Sequence, residues 1–68
     1  MDEEVLNMSV RKFLKKVGIS SQREIEKVIH QAVANGELDQ NSVCKVSMQL
    51  NIDVSDKPLI IEGEIHLS

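Results

Sequence analysis

Hydrophobic positions recur every three to four residues up to Gly36 and every second residue after Asn41. Leu6, Val10, Phe13, Leu14 and Val17 are spaced four, three, one and three apart, which places them on one helical face. The spacing predicts a helix over about 2–17. Asp2, Glu3 and Glu4 sit at the positive end of its dipole and Lys15 and Lys16 at the negative end. Gly18 is expected to end it as a left-handed C-cap.

A second helix is predicted over about 21–35. Ser21-Gln22-Arg23-Glu24 fits a capping box, with the serine hydroxyl accepting from the Glu24 amide. Ile25, Val28, Ile29, Ala32 and Val33 continue as an i, i+3, i+4, i+7, i+8 stripe, and Asn35-Gly36 stops it. Only Gly18, Ile19 and Ser20 lie between the two helices, so they are expected to be neighbours.

From Cys44 the period becomes two. Cys44, Val46, Met48, Leu50, Ile52 and Val54 alternate with polar residues, predicting a strand over about 44–54. Ser55-Asp56-Lys57-Pro58 reads as the turn. A second strand over about 59–67 carries Leu59, Ile61, Gly63, Ile65 and Leu67 on one face, with Ile60, Glu62, Glu64 and His66 on the other. Pairing Val54 with Leu59 sets Ile52 against Ile61, Leu50 against Gly63, Met48 against Ile65 and Val46 against Leu67, so every apolar residue shares a face. Leu38 to Val43 carries no clear period.

The expected fold is therefore α+β, a single domain over 1–68. It has two layers in the order helix-helix-strand-strand, with an antiparallel β-hairpin packed on a helical hairpin. A two-stranded sheet is marginal alone and has two bare edges. A chain this short buries only about 60% of its unfolded surface. Both points predict a homodimer, formed through a sheet edge or an apolar face.

Composition narrows the class without naming a function. With 41% hydrophobic and 28% charged residues, the chain is too apolar for disorder. No apolar run approaches the roughly 18 residues of a membrane span, and the acidic start Met1-Asp2-Glu3-Glu4 is unlike a signal peptide. A cytoplasmic protein is expected. The single cysteine, Cys44, makes no internal disulfide. Net charge is −3, split unevenly: residues 1–34 hold six Lys/Arg and five Asp/Glu, a net of +1, and residues 35–68 hold two and six, a net of −4.

The stretch Asn7 to Lys27 (NMSVRKFLKKVGISSQREIEK) resembles the opening of a family of short bacterial proteins without an assigned activity. The strand half resembles it only in its alternation. The resemblance implies a bacterial source and a stand-alone domain of about this length, and it supplies no site residues.

Leu14 to Ser21 followed by a helix resembles the turn of a helix-turn-helix unit, with the β-hairpin in the place of a wing. Gln22, Arg23, Glu26, Lys27 and His30 would then line the recognition helix, and Arg11, Lys12, Lys15, Lys16, Arg23 and Lys27 would neutralise phosphates. Against this, the same residues serve as caps and a solvated helix face, and the sequence pI is about 5.2. Phe13, the single aromatic, lies on the apolar stripe, which disfavours base stacking.

Catalytic chemistry has little to draw on. Cys44 needs a base such as His66, and alternation sends the two to opposite faces. Glu62, Glu64 and His66 repeat at spacings of two, a pattern shared by weak metal sites and ordinary polar strand faces. Glu26 and His30 read as an i, i+4 surface pair. No cofactor motif is present. The sequence thus points first to a homodimeric interaction or structural module with an unidentified protein partner. A nucleic-acid-binding regulator comes second, and a small enzyme with a site between subunits third.

Overall fold

A computed structural model describes all residues, 1–68. The chain is α+β, in the order α1 (Glu3–Ala34), β1 (Val43–Leu50), β2 (Leu59–His66). It divides into two compact units, Met1–Glu37 and Leu38–Ser68.

The first unit is one helix where two are expected. α1 runs unbroken for 32 residues, about 48 Å at 1.5 Å per residue. Gly18 is an interior residue without positive φ rather than a C-cap, and Ser21 is interior rather than an N-cap for Glu24. The physical balance explains this. A glycine inside a helix costs about 1 kcal/mol relative to alanine, and the serines cost less. Breaking the helix would orphan four carbonyls and four amides. No proline lies between residues 3 and 34 to force that break.

The ends carry the caps that the sequence supports. Asp2 is extended (φ −93°, ψ 112°), and its carboxylate accepts from the Glu4 amide at 2.9 Å and the Val5 amide at 3.2 Å. At the other end Gly36 takes φ 79°. Its amide donates to the Val33 carbonyl at 3.1 Å, and the Glu37 amide donates to the Ala32 carbonyl at 2.8 Å. Those two bonds form a Schellman motif, with the left-handed residue at Gly36 instead of Gly18.

The second unit opens on a turn at Asp39–Ser42. Asp39 accepts from the Asn41 amide through its carboxylate (2.8 Å) and from the Ser42 amide through its carbonyl (3.0 Å). β1 and β2 then pair antiparallel, with Leu50 opposite Leu59, Met48 opposite Ile61, Val46 opposite Gly63 and Cys44 opposite Ile65.

This pairing differs from the expected one by four residues, and β1 ends at Leu50 instead of 54. The expected connection is the four residues Ser55 to Pro58. The connection widens instead to residues 51–58, with a turn closed by the Ser55 amide on the Ile52 carbonyl at 2.9 Å. Beyond Leu50 and Leu59 the ladder meets Pro58, which has no N–H to give. Because four is even, every side chain within β1 and β2 keeps its predicted face, while Ile52, Val54 and Leu67 lie outside the ladder.

No residue in the chain is buried. Met48 and Ile61, expected beneath a helical layer, are 40% and 53% exposed.

Candidate functional site

Surfaces, and not an enclosed cleft, are what the chain offers. Around α1, at 100° per residue, Val10, Leu14, Val17, Ile25, Val28 and Ala32 share one stripe, with Ser21 at its middle. Val10, Leu14 and Val28 remain 46%, 55% and 49% exposed; Val17, Ser21, Ile25 and Ala32 are partly covered. The stripe is the continuous form of two stripes that the sequence assigned to separate helices.

The six basic candidates lie on the other side of the same helix. Arg11, Lys12, Lys15, Lys16, Arg23 and Lys27 fall within an arc of about 160° and span about 24 Å along the axis. His30 and Gln22 share that arc, and so does Glu26, whose carboxylate interrupts the positive field. Residues 18–21 are helical, so the bend of a helix-turn-helix unit is absent. Met8, Arg11, Lys12 and Lys15 line a shallow depression open to solvent.

On the hairpin, Cys44 belongs to the apolar face, opposite Ile65, and is half-buried. Its Sγ lies 3.9 Å from the Lys45 carbonyl oxygen. His66 stands opposite Val43, one position along, and therefore on the other face. Ser47 faces Glu62, and Cys44 and His66 lie on opposite faces as alternation predicts. Lys45 faces Glu64 across the strands. No group of three His, Cys, Asp or Glu side chains is placed to hold a metal ion, Glu62, Glu64 and His66 included. No helix is long and apolar enough to cross a membrane.

Ser21 is the residue that sequence reasoning misplaced most. Assigned as a cap, it is the midpoint of the apolar stripe, and the signal was there: Val17 and Ile25 stand four residues to either side of it.

A family model described as "Family of unknown function (DUF6494)" matches residues 1–68, the whole chain. No curated protein and no solved structure matches it.

Proposed function

We propose that this chain, which belongs to the family of unknown function DUF6494, is an interaction module that works as a homodimer. The observation that carries the reading is that 41% of the residues are hydrophobic and none is buried. Six apolar side chains on one helix stripe, and those on one hairpin face, are arranged for burial, and water on them opposes a stable fold. A hairpin of two strands also lacks independent stability. A second copy supplies the missing cover at the helix stripe and at the open edges of β1 or β2. The reading includes a bacterial cytoplasmic setting, supported by the resemblance over Asn7 to Lys27 and by the single unpaired Cys44.

Light scattering of the purified chain from about 1 to 100 μM tests this. A mass of two chains that falls on dilution is expected, and Leu14→Glu should shift it to one. A constant single-chain mass across the range overturns the reading.

One observation favours a second reading. Arg11, Lys12, Lys15, Lys16, Arg23 and Lys27 share one arc of a single helix, which suits a polyanion read through its phosphates. Gel-shift binding that weakens steeply between 50 and 200 mM salt would support it, and no shift at 50 mM would end it.

A further inference from the structure

The apolar stripe of α1 is symmetric about Ser21. Val17 and Ile25 lie four residues from it, Leu14 and Val28 seven, and Val10 and Ala32 eleven. All seven positions fall within about 80° of arc on one helix and extend about 33 Å along it. The spacings 4, 3, 4, 4, 3, 4 make two eleven-residue repeats, or about 3.67 residues per turn, so the stripe runs nearly straight.

We infer that two copies of the chain pair through α1 antiparallel, with the two-fold axis at Ser21. The inference rests on the dimer reading above and names its contact. An antiparallel copy centred there brings Val10 level with Ala32 of its mate, Leu14 with Val28 and Val17 with Ile25. An isologous contact requires this self-matching, and an unrelated partner does not. The small serine lies where the two backbones come closest.

Charge selects the direction. Residues 11–16 carry four positive charges, residues 22–27 carry two positive and two negative, and residues 2–4 carry three negative. Parallel pairing sets the −3 segments side by side and brings together the two Glu3 carboxylates, which lie on the stripe's own line. Packed helices sit 8–10 Å apart, about one Debye length, so this repulsion is felt, whereas the basic residues lie on the far side of each helix and are farther apart. Antiparallel pairing sets each acidic segment past the end of the mate's helix at Ala34. Burying such a stripe on both copies removes on the order of 1,000 Å², the least that a specific interface needs.

Engineered disulfides in the full chain, with Cys44→Ser removing the native thiol, test the contact. Facing Cα atoms at the crossing are roughly 3.5–5.5 Å apart, given a helix radius of about 2.3 Å, which suits a disulfide. Ser21→Cys should link to itself under mild oxidation. Val10→Cys mixed with Ala32→Cys should link at least ten-fold more than either alone. Efficient self-linking of Val10→Cys means parallel helices and overturns the inference. If the protein scatters as a dimer but the Ser21→Cys and mixed pairs do not link, the contact is elsewhere and only this inference fails. If it scatters as a monomer, the dimer reading fails as well. Ser21→Arg keeps helix propensity and needs no cross-link. It should raise the dimer dissociation constant at least ten-fold, and an unchanged constant counts against the contact.

Discussion

Gly63 stands opposite Val46 across the hairpin, and a Cβ built on Gly63 would meet Val46 Cγ2 at 3.8 Å. That is an ordinary van der Waals separation, and Gly63 has no positive φ. Nothing in the backbone requires glycine there, so its conformational freedom is a cost without a local return. Gly63→Ala should therefore stabilise the hairpin by about 0.4–1 kcal/mol, read as slower amide exchange across β1 and β2. Faster exchange would mean that something not in this chain approaches the backbone at that point.

Gly18 offers a test whose sign depends on the architecture. In a continuous helix, with nothing within 4 Å of an added Cβ, Gly18→Ala should raise stability by about 1 kcal/mol and increase helical circular dichroism. In a helical hairpin with Gly18 as a left-handed cap, the same change would lower stability by about 1–2 kcal/mol. A loss of helicity on substitution would restore the two-helix reading.

The fold was legible in the sequence wherever periodicity decided it. The switch near Gly36, the faces of both strands and the Asn35-Gly36 stop all follow from spacing, because burial patterns and a left-handed glycine leave direct marks on residue order. Gly18 to Ser21 misled because the same residues that cap helices are merely tolerated inside them, and local sequence does not weigh a 1 kcal/mol penalty against eight orphaned backbone groups. The register escaped for a similar reason. Any even shift preserves the faces, so alternation alone cannot separate Leu50–Leu59 from Leu50–Gly63. Pro58, which has no N–H to extend the ladder beyond Leu59, is the residue that marks its end in either pairing. For the candidate surface, the basic residues and both half-stripes were visible, but their alignment on one rod depended on the helix continuing through Gly18.

The two ends of α1 should respond differently to alanine. Asp2→Ala removes the acceptor for the Glu4 and Val5 amides and should cost about 0.5–2 kcal/mol. Gly36→Ala forces a side chain into φ 79° and should cost about 1–2 kcal/mol. Thermal melts followed at 222 nm measure both. If Gly36→Ala proves neutral, the Schellman bonds to Ala32 and Val33 do not control where the helix stops.

Val54 separates the observed hairpin from its four-residue alternative. It lies outside the ladder and is 95% exposed. Val54→Asp should therefore change stability by no more than about 0.5 kcal/mol, as for an ordinary surface site. Leu50→Asp places a carboxylate beside Leu59 and removes an apolar cross-strand pair worth about 0.2–1 kcal/mol before desolvation is added. Amide exchange at Met48 and Ile61 should accelerate in the second variant and hold steady in the first. In the alternative register Val54 faces Leu59 and Leu50 faces only Gly63, so the two responses would be reversed. The comparison reads the register without any structure of the variants, because each register gives an apolar cross-strand partner to only one of the two positions.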